Sequence, residues 1–284
     1  MRRLGQRHAV IVVVAAALAA GACGSDSGAP GLPTVGAART FELADFQPAN
    51  PVEPGKPVTM SFSIDQPDGT PLTDYATGPG PHTGIHVITV NEDLTSIDHK
   101  HPPVGADGKV SEEITFPAAG RYRVVVDAYP ATGQRNFQLF RWVDVDGSAP
   151  RKPFPPFKQT VVDKGFRITM KSKPNLKALE ASFLDVSVTN PQGKPATFKP
   201  YFGALAHAIF FRAESLDYFH THVCAPGGTG CTSAIGGAQV TGTSSKPGEL
   251  RVGVLLPVPG TWRLFLQTEA DGTLLTAPFT LKVS

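Results

Sequence analysis

Blocks of like charge, long apolar runs and cysteine are all scarce in this chain, and each scarcity excludes something. Its 284 residues carry a formal net charge of +2, and only 18% of them are charged. No basic block lies outside the extreme N-terminus, so nothing points to nucleic acid or an acidic polymer as a partner. The uncharged run Ala9 to Ala22 is too short to cross a bilayer as an ordinary transmembrane helix. Phosphate-cradling and dinucleotide fingerprints are missing, and no nucleophile-elbow glycine pattern surrounds the loop serines. What is present is turn and strand chemistry. With 29 glycines, 27 prolines, frequent valine, threonine and phenylalanine, and no run of helical period, the chain reads as short strands joined by turns.

The first residues are a targeting segment and lie outside the fold. Arg2, Arg3 and Arg7 precede the apolar run, "AAGAC" places small residues before Cys23, and the polar "GSDSGAPG" follows. This resembles a bacterial lipoprotein signal at residues 1–22. The resemblance implies that Cys23 is diacylated, and that the exported chain is held on the extracytoplasmic face of the cell membrane. Two acyl chains are enough for stable anchoring. A cleaved secretory signal is the alternative. With Cys23 assigned to the lipid, Cys224 and Cys231 remain from a total of three cysteines. They bracket the flexible "APGGTG" and are expected to form a disulfide in an oxidising compartment.

After a tether at residues 23–37, the proline-rich "GSAPRKPFPPFKQ" divides the chain into two parts that read alike. "VTMSFSIDQPDGTPL" parallels "LDVSVTNPQGKPATF". "FPAAGRYRVVVDAY" parallels "LPVPGTWRLFLQTE", aligning Gly120 with Gly260, Tyr122 with Trp262 and Arg123 with Arg263. Landmarks in one order at similar offsets mark an internal duplication. About seven short alternating segments per copy give the expected fold: all-β, two tandem immunoglobulin-like antiparallel β-sandwiches. Their expected bounds are 38–147 and 160–284, with a semi-rigid linker at 148–159. A single fourteen-strand barrel is the competing architecture. The second copy's main departure is an insertion from Cys224 to about Pro247, read as a long loop.

The histidines carry the chemistry. "HVITVNEDLTSIDHKH" and "HAIFFRAESLDYFHTH" share one spacing: His, twelve residues, His, one residue, His. If Val90 pairs with Thr95, His86 lies opposite His99, with His101 on the same face. If Phe211 pairs with Leu216, His207 lies opposite His220, with His222 beside it. Cross-strand neighbours have Cβ atoms about 4.5–5.5 Å apart, so each copy is expected to gather an inward-facing trio. His82 could add a fourth ligand in the first copy. Asp127 and Tyr129 are weaker candidates, and Gln267 and Glu269 occupy the equivalent places in the second. Neutral imidazoles converging in an exported protein suit a divalent transition metal. The plain alternative is a polar network that only packs.

"HAIFFRAESLDYFHTHV", "PGTWRLFLQ" and "TAPFTLKV" resemble exported bacterial proteins described as heavy-metal-binding, and more loosely the YtkA-like and CopC-like copper-associated domains. That implies an immunoglobulin-like fold, the six paired histidines as ligands and a metal-handling role. Met60 and Met170 are the only methionines after the targeting segment, where Cu(I) carriers have methionine-rich loops, so Cu(II) or Zn(II) is the expected ion. A hydrolytic site would need a carboxylate base. Asp98 points away from the histidine face and Glu92 sits at the far hairpin end, so no enzyme is expected. Expected partners are the membrane, through the lipid, and an envelope protein. An interaction module presenting the insertion is the alternative function.

Overall fold

Strands here alternate buried with exposed where one face meets solvent, and stop alternating where both faces are covered. The computed structural model describes residues 40–284 apart from 79, 132–134, 151, 228–233 and 236–237. In the first repeat the strands are β1 (Glu42–Gln47), β2 (Pro57–Asp65), β3 (Ile85–Asn91), β4 (Ile97–Lys100), β5 (Val110–Thr115), β6 (Gly120–Ala128) and β7 (Phe137–Val145). The second repeat begins with β8 (Thr160–Asp163), β9 (Phe166–Met170), β10 (Ser182–Thr189), β11 (Phe198–Lys199), β12 (Ala206–Arg212) and β13 (Tyr218–Cys224). It continues through β14 (Ala234–Ile235), β15 (Ala238–Gln239), β16 (Gly242–Thr243), β17 (Glu249–Val254), β18 (Gly260–Ala270) and β19 (Thr273–Val283). None of the described residues is helical. The chain is all-β: two tandem immunoglobulin-like sandwiches.

In the first sandwich, sheet β1-β2-β5 lies over sheet β4-β3-β6-β7. Met60, Phe62 and Ile64, alternate residues of β2, fill its core against Ile85, Val87, Tyr122, Val124 and Val126. In the second, one sheet of order β11-β18-β12-β13-β16-β17-β10-β9-β8, with β19 beside β18, folds over on itself. Ile168, Val186 and Val252 thereby meet Phe210, Leu264 and Phe279. The layers join at β16, which pairs parallel with β13 and antiparallel with β17. The insertion read as a loop therefore supplies a strand that closes the second sandwich along one side.

The duplication is visible in detail. Gly120 and Gly260 open β6 and β18 at φ 119° and 136°, a region closed to residues with a Cβ. Two residues on, the Tyr122 hydroxyl donates to the Ala118 carbonyl and the Trp262 Nε1–H donates to the Val258 carbonyl, both at 3.1 Å.

β3 and β12 are buried at every residue but their last, on both faces. One face of each belongs to its own sandwich. On the other, Ile88, Val90, Leu94 and Val125 of the first repeat pack against Ile209, Phe211, Leu216 and Phe265 of the second. Each such side chain contributes roughly 1.5–3 kcal/mol when fully buried, which explains why Arg39–Ser284 forms one compact unit. The histidine-bearing face was expected to point into its own sandwich. It points instead at the other sandwich, because the alternate residues Ile85 and Val87 already fill the first core. The proline-rich segment is no bare spacer either: Phe154 joins this interface and Phe157 packs on the second core.

Candidate metal centre

Hairpin register places the rings. The observed pairs are Val90 with Ile97 and Ile88 with His99 in the first hairpin, and His207 with His222 and Ile209 with His220 in the second. Both ladders are therefore shifted by two residues from the expected pairing. In the first hairpin the cause is Asn91. Its Oδ1 accepts from the backbone N–H groups of Thr95 and Ser96 at 2.9 and 2.8 Å, which moves the connection one residue along. Side chains alternate with period two, so a two-residue shift leaves every histidine on its face.

Both trios end at the same end of the face shared by the sandwiches, and they merge into one chamber. His86, His99 and His101 come together as expected, each offering a ligand nitrogen within 4.8 Å of the others. The second repeat's rings do not form a trio of their own at that spacing. His220 and His222 group with His86, while His207 and His220 group with His99. The expectation of one site per sandwich is corrected on that point, because the histidine faces oppose each other across the interface. Ring centroids of His99 and His207 lie 4.9 Å apart, and those of His86 and His220 lie 5.5 Å apart. His82, expected beside the first trio, lies edge-on against His222 of the second repeat at 4.7 Å. Exposure is 0% at His86 and His207, 1% at His222 and 2% at His99. His101 is only partly buried, its ring stacked between His86 at 3.8 Å and Phe202 at 4.0 Å.

Surrounding groups fix which nitrogens carry protons. His86 Nε2–H donates to the Pro81 carbonyl and His207 Nε2–H to the Tyr201 carbonyl, each at 2.8 Å, so the Nδ1 lone pair of both is free. His99 Nδ1–H donates to Gln267 Oε1 at 3.1 Å, the amide being oriented by its own donation to Thr276 Oγ1, which leaves His99 Nε2 bare. His220 is set through a longer chain. Asp127 Oδ1 accepts from Asn136 and Gln138, and its Oδ2 accepts from the hydroxyls of Tyr129 and Tyr218. Four donors fill the four acceptor positions of an ionised carboxylate. Tyr218 thus spends its one proton on Asp127 and accepts from His220 Nδ1–H at 3.0 Å, so His220 Nε2 is bare as well. That nitrogen faces His207 Nδ1 at 3.3 Å. Neither ring nitrogen of His222 has a hydrogen-bond partner, nor has His82 Nε2.

The environment keeps the rings neutral. Burial, then repulsion from neighbouring rings, holds His86, His99, His220 and His222 well below the ordinary imidazole value. The same causes take His101 down to about 3, and burial takes His207 down to about 4 against its hydrogen bond to Tyr201. Burial pushes Asp127 up, and its four donors pull it back. Neutral imidazoles with the second nitrogen hydrogen-bonded are what transition-metal centres use.

Tyr129 packs on His86 at 4.9 Å and Asp127 backs His220 through Tyr218, so both support the rings. Gln267 positions His99, whereas Glu269 pairs with Lys199 at the sheet edge. Reading the sequence missed the roles of Tyr218, Tyr201, Phe202 and Pro81. The available signal was that "GPGPHTG" and "KPYFGALAH" precede His86 and His207 at similar distances. Cys224 ends β13, while Cys23 and Cys231 lie outside the described residues, and the expected lipid and disulfide fall there with them.

No curated protein sequence matches this chain. Among solved structures it is similar to a mutant Salmonella alpha-2-macroglobulin, at 13% identity and TM-score 0.27, over 87% of this chain and 15% of that one. Invasin, a bacterial integrin-binding protein, is 14% identical with TM-score 0.24, over 86% of this chain and 39% of that one. Domains 5–6 of the S-layer protein SbsC are 12% identical with TM-score 0.25, over 86% of this chain and 98% of that one. TM-scores this low establish no correspondence of strands or residues. The family described as "Domain of unknown function (DUF8832)" matches residues 40–146 and 159–284, and the chain belongs to that family.

Proposed function

We propose that the chain is an exported, lipid-anchored protein that binds a divalent transition metal in the chamber between its repeats. Cu(II) stands ahead of Zn(II), and the protein handles the metal without catalysing a reaction. The reading rests on one observation, that His207 Nδ1 and His220 Nε2 face each other at 3.3 Å, taken with the tautomers assigned from the outer hydrogen bonds to Tyr201 and Tyr218, which put each ring's proton on its other nitrogen. Two lone pairs at that range repel. On one tetrahedral ion with bonds of about 2.05 Å, two imidazole nitrogens sit about 3.3 Å apart. A purely structural network would leave the buried His222 with two unmet nitrogens, and each unmet group costs about 1–3 kcal/mol. Imidazole suits copper and zinc alike, and the usual order of affinities puts copper first. Lipidation at Cys23 would hold the protein outside the membrane, where such ions arrive, and an envelope protein is the partner this placement suits.

Calorimetric titration of Cu(II) and Zn(II) into the full chain, beside a His99→Ala/His220→Ala variant, tests the reading. Micromolar or tighter binding that the variant loses is expected. Equal, weak binding in both, with the variant changed only in thermal stability, would return the histidines to a structural role.

A further inference from the structure

Four residues along β18 from Gln267, a buried charge stands without an answer. Arg263 shares the face of Phe265 and Gln267, since side chains of a strand alternate, and it is 7% exposed. Among the described residues its guanidinium makes one hydrogen bond, Nη1–H to Thr280 Oγ1 at 2.8 Å, and that hydroxyl donates onward to the Pro155 carbonyl at 2.7 Å. Arg263 Nε has no partner.

The duplication supplies a comparison. Arg123, the equivalent residue of the first repeat, feels the opposite charge of Asp217, and its guanidinium lies 4.4 and 5.3 Å from the rings of Phe140 and Trp142. At Arg263 burial acts with no carboxylate against it, and the rings of Phe154 and Phe265 stand off at 5.9 Å. A charge withdrawn from water needs a counter-charge. The chain provides one in the first repeat and none in the second.

Arg263 lines a cavity of about 400 Å³ between the proline-rich segment, β8 and β19, a size that takes a small molecule. Pro155, Pro156, Val161, Val162 and Pro278 form apolar walls, and Lys158 is the other charged residue of the lining. Two cations and no carboxylate call for an anion. Inorganic phosphate is ordinarily cradled by successive backbone N–H groups; the prolines have none to give, and an ion that small would leave the apolar walls wet. A carboxylate matches the planar guanidinium, and an apolar tail covers the walls.

We propose that this cavity binds a small organic carboxylate with an apolar tail, its head on Arg263 and Lys158 and its tail against the prolines and valines. The site shares no residue with the histidine chamber, so it stands or falls apart from the metal reading.

Calorimetric titration of sodium octanoate into the full chain at low salt tests it, with inorganic phosphate and 1-octanol as comparison probes. Octanoate should bind below about 1 mM, and each comparison probe about tenfold or more weakly. Arg263→Met should weaken octanoate binding about tenfold or more. It exchanges an unpaired buried charge for an apolar chain, a change that folded proteins tolerate. Val162→Glu, at a wall position 59% exposed, sets a repelling carboxylate beside the ligand's own and should weaken binding likewise. If Arg263→Met fails to fold, Val162→Glu decides alone. Absence of octanoate binding, equal binding of 1-octanol or phosphate, or unchanged binding in the folded variants would each overturn the proposal.

Discussion

Acidifying the metal-free protein from pH 7.5 to pH 5.5 should remove most of its stability. Six histidines, at positions 86, 99, 101, 207, 220 and 222, have folded-state pKa values pushed below the ordinary value by burial. Unfolded, they take up protons near pH 6.5; folded, they do not. The unfolded state therefore binds more protons below pH 6.5, and stability falls as the pH falls. Above that value nothing is lost. The slope is about 1.4 kcal/mol per pH unit for each ring. At pH 5.5, one unit below the unfolded value, six rings remove about 8 kcal/mol, a large part of the roughly 5–15 kcal/mol that holds a domain together. Asp127, raised by burial, works in the opposite direction, but it is one group against six. Urea unfolding in the presence of a chelator, at half-unit pH steps, measures the effect. A midpoint that stays flat between pH 7.5 and 5.5 would refute the claim that these rings are held neutral. Metal and protons compete for the same lone pairs, so the loaded protein should keep its stability to lower pH than the metal-free one.

Tyr218→Phe leaves the His220 ring in place but removes the hydroxyl between its Nδ1 and Asp127. Affinity for Cu(II) should fall about 10–100-fold in competition with a chromophoric chelator, and unchanged affinity would remove Tyr218 from the account. Phe211→Ala empties part of the apolar contact between the sandwiches. It should cost about 3–5 kcal/mol in urea unfolding, and a loss below about 1 kcal/mol would mean the sandwiches do not depend on that contact. Gly253→Ala drives a Cβ into the Val240 carbonyl oxygen, where backbone faces backbone and neither can yield. Soluble yield should collapse, and an unchanged melting temperature would show that the insertion does not lie over β17.

Much of the architecture was legible because turn chemistry and period-two patterning are local. β2 alternates as its sequence does, and β6 and β18 begin at glycines whose φ only glycine adopts readily. β16 was not legible. Two residues, Gly242 and Thr243, make a strand only because the edges of β13 and β17 are there to receive them, and such long-range pairing leaves no local pattern. The hairpin register was read two residues short for a related reason. The expected loop counted residues, whereas the Asn91 side chain caps the turn and moves it one residue along the chain.

The site was legible as residues but not as a place. Treated alone, each repeat predicts three histidines on one face of one hairpin, and the even-numbered register error left that intact. What shows that neither repeat can be treated alone is the apolar content of β3 and β12 on both faces. Ile85 and Val87 demand one covering layer, and Ile88 and Val90 demand a second that one sandwich cannot supply. In β12, Ala208 and Phe210 face the second core while Ile209 and Phe211 make the same demand. Two repeats, each with an uncovered apolar face, bury most surface by covering each other, and the histidines at the same end of each face are then brought together. A single copy would hold three rings at a wet sheet end, free to protonate near pH 6.5. The pair encloses them, and enclosure makes them neutral and leaves His86 Nδ1, His82 Nε2 and both nitrogens of His222 without a partner in the chain. The gathering of the rings is thus a consequence of the packing of the repeats, and a change that parts the two apolar faces should weaken Cu(II) binding in titration without touching a histidine.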